Sequence, residues 1–106
     1  MSVSTHVLDA IRGRPATGLA VRLERRDTEG WRPVAERTTD ADGRVPDLAA
    51  DSPAGVYRLT LDTEPCLGPD AFYPEVVVTF RVADAEAHHH VPVLLGAYSY
   101  TTYRGS

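Results

Sequence analysis

The 106-residue sequence has no lysine; its eleven basic residues are all arginine. A lysine nucleophile or Schiff base is thereby excluded. It has one cysteine, Cys66, so no internal disulfide can form and nothing indicates a secreted disulfide scaffold. Cys66 lies in a Pro- and Gly-rich loop with no sequence neighbour that would activate a thiol, and it reads as a bystander. No apolar run reaches the roughly 18 residues that mark a membrane span, so no membrane partner is expected. Residues 1–6 lack the basic and apolar regions of a signal peptide, which makes the cytoplasm the expected location. Positive charge is not in excess either: the net charge is −4 and the sequence pI about 5.4. A nucleic-acid partner, which needs a basic face, is not expected.

What is present is an ordinary globular composition, 42% hydrophobic and 25% charged. The length fits one domain over residues 1–106. At this size, apolar surface covered by oligomerisation adds usefully to the burial of a single core.

Apolar residues alternate in short runs, and no long segment keeps a helical period. Residues 3–10 read as a strand. Gly13, Pro15 and Gly18 punctuate a turn. Leu19, Val21 and Leu23 then alternate with Arg22 and Glu24, as in a half-buried strand. Trp31 to Thr38 is a further strand, with Pro33 marking a sheet edge. Asp40-Ala41-Asp42-Gly43 is a strong turn, and Asp47 to Gly55 reads as a looser stretch. Tyr57, Leu59 and Leu61 face inward from the strand Val56 to Asp62. Glu64 to Pro74 is a loop with room for one helical turn around Pro69 to Phe72. Val76, Val78, Phe80 and Val82 form the most one-sided strand, and His88 to Leu95 the next. The expected fold class is all-β: a seven- to eight-stranded β-sandwich with at most one short helix.

Strand parity shows where polar chemistry gathers. Side chains on a strand alternate between faces. Val91, Val93 and Leu95 define a core face, which leaves His88 and His90 on the other face and turns His89 inward. In the first strand Val3, Thr5 and Val7 face the core, and His6 shares the outer face with Leu8. An outer face that mixes histidine with leucine is a candidate subunit interface. There an imidazole titrates in the range a general base needs. Simpler readings stand beside this one. The histidine run can be a solvated patch after an acidic turn, or His6, His88 and His90 can be zinc ligands. Arg44 can be a surface arginine. Asp9, Asp42 and Glu86 read as solvated or turn-forming carboxylates. The terminal Tyr98 to Ser106 can be a plain edge strand, although tyrosine and arginine in the last four residues suggest a docked end.

The two ends of the chain resemble a known family. Ser4-Thr5-His6-Val7-Leu8-Asp9-Ala10, with Gly13-Arg14-Pro15-Ala16, is similar to the N-terminal signature of the transthyretin-like proteins. His90-Val91-Pro92 and the terminal Tyr98-Ser99-Tyr100-Thr101-Thr102-Tyr103-Arg104-Gly105-Ser106 are similar to the C-terminal one. Asp42-Gly43-Arg44 and Phe72-Tyr73-Pro74 fall between them in the family's order. The final Tyr-Arg-Gly-Ser resembles the family's enzyme branch, the 5-hydroxyisourate hydrolases, as distinct from its hormone carriers. Three departures stand out: His89 replaces the middle tyrosine of a His-Tyr-His, Gly96-Ala97 replaces a Ser-Pro, and the Glu64 to Pro74 loop is short enough to truncate the family's helix.

The resemblance implies a transthyretin-like sandwich assembled as a homotetramer, a dimer of dimers with sites in the channel at the dimer–dimer interface. It implies hydrolysis of 5-hydroxyisourate to 2-oxo-4-hydroxy-4-carboxy-5-ureidoimidazoline in urate breakdown, with no metal and no cofactor. The catalytic residues it implies are His6, Arg44, His90 and Ser106, with Tyr103, Arg104 and Gly105 joining them in holding the substrate. For such a reaction, either His6 or His90 is suited to activate water, and the permanently charged fork of Arg44 to hold an oxyanion. Arg104 would clamp the substrate or fix the chain end, Tyr103 would stack or donate a hydrogen bond, and Ser106 would orient a histidine or the water.

Overall fold

The computed structural model describes residues 2–50 and 52–105. Among them are nine strands and one short helix: β1 (Ser2–Asp9), β2 (Arg14–Pro15), β3 (Ala20–Asp27), β4 (Gly30–Thr38), β5 (Arg44–Ala50), β6 (Gly55–Asp62), α1 (Glu64–Leu67), β7 (Glu75–Val82), β8 (His88–Leu95) and β9 (Tyr100–Thr102). The strands form two sheets. One runs β4-β3-β6-β7, every neighbour antiparallel. In the other, β1 is central: β8 lies parallel along its whole length on one edge, β5 and then β2 share the other, and β9 extends the sheet beyond β8.

The core is what the alternation predicts. Tyr57, Leu59 and Leu61 of β6 are fully buried, as are Val3 and Val7 of β1 and Val93 of β8. They meet Leu23, Val76 and Leu95 between the sheets. Each such aliphatic side chain contributes about 1.5–3 kcal/mol by leaving water. Pro33 lies on β4, an edge strand as expected, at the point where the β3–β4 register shifts. A missing N–H costs nothing there.

Three expectations are corrected. Residues 47–50 are not a loose stretch but the second half of β5. Pro46 does not stop that strand, because it falls at the irregularity between the Val3–Ala49 and Thr5–Val45 pairs. The helical turn lies at Glu64–Leu67, ahead of Pro69. Pro65 occupies its first turn, where no N–H is needed, and Gly68 ends it with φ +102°. Asp9 is not a solvated carboxylate. It is 2% exposed, accepts the backbone N–H groups of Ile11 and Arg12 at 3.0 and 3.1 Å, and pairs with the Arg12 guanidinium at 2.8 Å. Turn formation, the other half of that expectation, holds.

Candidate functional site

The outer face of β5, β1 and β8 carries the candidate site. Antiparallel pairing sets Arg44 opposite His6, and parallel pairing sets His90 opposite Ser4 and His88 opposite Ser2. Because alternate residues share a face, Arg44, His6, Ser4, His88 and His90 all project from the same side of three adjacent strands. His89 projects the other way and is 4% exposed; its Nδ1 donates to the Ala87 carbonyl at 3.2 Å. Its place toward the core matches the sequence reading.

A turn fixes Arg44. The Asp40 carboxylate accepts the backbone N–H groups of Asp42 and Arg44, each at 2.9 Å. Gly43 adopts φ +74°, and a Cβ there would collide with the Val7 carbonyl oxygen. Only glycine lets the turn lie this close to β1. The same turn orients His6, whose Nε2 lies 2.8 Å from the Asp42 carbonyl oxygen. A carbonyl only accepts, so Nε2 of His6 carries the proton and a neutral ring presents its lone pair at Nδ1.

His90 is held differently. Its Nδ1 lies 2.7 Å from Ser4 Oγ, and Ser4 Oγ also lies 2.9 Å from Nε2 of His88. The other nitrogen of His88 meets the Ser2 hydroxyl. The two imidazoles lie 6.5 Å apart and 16° from parallel. Burial, reinforced by the nearby Arg44, His88 and His6, lowers the pKa of His90 below the usual histidine value. The shift favours its neutral form. Arg44, Ser4, Thr5, Pro46, His88 and His90 line one open cleft of ≈ 460 Å³. Among the described residues Arg44 forms no ion pair, so its charge is available to a ligand.

The C-terminal segment reaches His90 through Gly105. Its backbone N–H donates to the His90 carbonyl at 2.8 Å in an isolated bridge beyond β9. Tyr103 and Arg104 are exposed and line a separate apolar recess of ≈ 270 Å³ with Phe80, His89 and Val91. Ser106 lies outside the described residues. No three His, Cys, Asp or Glu side chains among the described residues converge as a metal site. Cys66 is half-buried at α1, and burial raises its pKa, which disfavours the thiolate. Sequence reasoning missed Ser4 and left His88 undecided. Both are explained by the β1–β8 register, which joins residues 84 and 86 positions apart.

A sequence model described as the HIUase/Transthyretin family matches residues 3–105. The chain is 42% identical over 111 residues to the 5-hydroxyisourate hydrolase of Mus musculus, covering 98% of this chain and 94% of that protein. It is 39% identical over 109 residues to the enzyme of the same name from Salmonella typhimurium, covering 98% of this chain and 80% of that protein. The solved 5-hydroxyisourate hydrolase of Klebsiella pneumoniae superimposes with a TM-score of 0.86 at 34% identity, with both chains covered in full. Sea bream transthyretin, solved with thyroxine, superimposes with a TM-score of 0.90 at 30% identity over 99% of this chain and 95% of that one. Backbone similarity alone thus does not separate hydrolase from carrier.

Proposed function

Because the chain belongs to the HIUase/Transthyretin family and acts as a 5-hydroxyisourate hydrolase, we propose that it opens the substrate ring by direct attack of water in the cleft beside His90. The observation that carries this reading is the meeting of a neutral imidazole and an unpaired guanidinium in one cleft. His90, with its Nδ1 engaged by Ser4, presents Nε2 to a water molecule and takes its proton as the hydroxyl oxygen bonds to the carbonyl carbon. Negative charge forms on the carbonyl oxygen, and Arg44 holds it. The C–N bond then breaks, and the proton passes from His90 to the departing nitrogen, so one water is consumed. His6, opposite Arg44, binds the substrate through the lone pair of Nδ1. The product is 2-oxo-4-hydroxy-4-carboxy-5-ureidoimidazoline.

Ser106, Tyr103 and Arg104 complete the proposal as substrate-holding groups, with Ser106 also orienting the water. It extends to a homotetramer in which a second copy closes the open cleft, and to a cytoplasmic location. The family match over residues 3–105 supports a single domain over 1–106. No helix among the described residues is long and apolar enough to cross a membrane.

The test is direct. 5-Hydroxyisourate is generated with urate oxidase and its ultraviolet decay followed with and without the protein. Accelerated decay, lost in His90→Ala and Arg44→Ala by on the order of 10²-fold or more, is the expected result. An unaccelerated decay overturns it and leaves a carrier.

A further inference from the structure

Ser2, His88, Ser4 and His90 form one continuous hydrogen-bonded row across β1 and β8. Its geometry follows from the register: serines at alternate positions of β1 stand opposite histidines at alternate positions of β8. Each serine hydroxyl has a single proton, and each neutral imidazole has one donor and one acceptor nitrogen. The row therefore has two coherent polarities. In one, His90 donates from Nδ1 to Ser4, Ser4 donates to Nε2 of His88, and His88 donates from Nδ1 to Ser2. In the other, every donor and acceptor is reversed, and Nε2 of His90 carries the proton.

We propose that His88, acting through Ser4, is a positioning residue that holds His90 in the tautomer with its Nε2 lone pair toward the cleft. This rests on the reading of His90 as the base. Three observations favour that polarity. His88 offers Ser4 an acceptor nitrogen and so lets its hydroxyl proton point away from His90. Ser4 is 6% exposed, so water has little access to replace His88 as that acceptor. The titratable and charged groups facing His90 are Arg44 on β5, His6 on β1 and His88 on β8. The permanent cation, Arg44, lines the same cleft and favours a lone pair over an N–H on that side. An acceptor beyond Ser4 here does for His90 what an orienting carboxylate does for other catalytic histidines, without adding a negative charge.

The chain makes a distinction that a merely structural role would not. His88→Ala removes the acceptor, whereas His88→Gln can return one through its side-chain carbonyl. Ser4→Ala breaks the row at its middle and is nearly isosteric. The tautomer of His90 is read by nitrogen-15 NMR on the resting, ring-labelled protein at neutral pH, without substrate. Wild type and His88→Gln are expected to carry the proton on Nδ1, and Ser4→Ala and His88→Ala to shift toward Nε2. In the hydrolysis assay, Ser4→Ala and His88→Ala should lower kcat by on the order of 10²-fold with KM little changed, and His88→Gln should recover most of the loss. A wild-type His90 protonated at Nε2 overturns the proposal, as does an unshifted tautomer in both Ser4→Ala and His88→Ala. The reading beneath it fails separately: His90→Ala turning over like wild type removes the base assignment, while the tautomer measurement still decides the polarity of the row.

Discussion

Gly105 presses its backbone against the imidazole of His90. A Cβ built on it would lie 2.6 Å from His90 Cδ2 and 3.2 Å from Cγ. Real carbon contacts do not come that close, so either the ring or the terminal segment must move when the site gains a methyl group. Gly105→Ala is therefore expected to lower kcat by on the order of 10²-fold, as displacement of a reacting group by about 1 Å does. Its melting temperature should stay near wild type, because the change lies beyond the last strand. Steady-state kinetics with a thermal melt checks both.

The lowered pKa of His90 gives the pH profile its sign. Burial is the main cause, and Arg44, His88 and His6 add to it. The base form is lost only below the ordinary histidine range, so kcat/KM should hold its plateau through neutral pH and fall on the acid side through that lowered value. Arg44→Gln removes one of the causes, and its residual activity should fall at a higher pH than wild type. Stability follows the same linkage. The unfolded chain takes up the proton first as pH falls, so His90 withdraws stability between its unfolded and folded values and is neutral to stability above them. Denaturant melts across that window measure it.

Asp9 stabilises the fold in the opposite way. Burial alone would raise its pKa, but the side-chain and backbone hydrogen bonds of Arg12 and that of Ile11, with the Arg12 charge, lower it. Its contribution is present above the ordinary carboxylate pKa and is lost as pH falls through the lowered one. Asp9→Ala leaves the Ile11 and Arg12 N–H groups without their acceptor and should cost about 1–3 kcal/mol. The urea midpoint of the variant at neutral pH is the measure.

Thr39 ties the start of the Arg44 turn to the loop between β2 and β3. It is 4% exposed; its hydroxyl donates to the Ala16 carbonyl at 2.5 Å and accepts the Leu19 N–H at 2.8 Å. Thr39→Val keeps the shape but orphans a buried donor and a buried acceptor, at about 1–3 kcal/mol for each. Chemical denaturation should show that loss, together with a raised KM if the turn carrying Arg44 loosens.

The parts legible in the sequence are those set by local alternation. The face split of β8 and the inward row of β6 follow from residue spacing alone, as does the edge position of Pro33. The roles proposed for the site residues come from resemblance, whereas parity placed His6, His88 and His90 on an outer face. What alternation does not encode is which strands lie side by side. Ser4 looked unremarkable because its partners sit at the far end of the chain, joined by a parallel register. The second half of β5 was obscured by Pro46, which the pairing irregularity tolerates. Asp9 looked solvated because nothing local shows that its partner Arg12 is tied to α1, with the Cys66 carbonyl accepting from Arg12 at 3.0 Å.

The double pairing of β1 gives the two neighbours of His90, β1 and the C-terminal segment, different lifetimes. Its amides and carbonyls are engaged on both edges, by β8 on one and by β5 and β2 on the other. His6 and Ser4 therefore ride on a strand whose hydrogen exchange is expected to require global unfolding. The C-terminal segment beside His90 hangs from β9, three residues long and paired on one edge, plus the single Gly105 bridge. That segment is expected to open by fraying, at a small fraction of the free energy of unfolding. Peeling back the C-terminal segment would thus uncover His90 on β8 while His6 and Ser4 stay fixed on the slowest-exchanging strand.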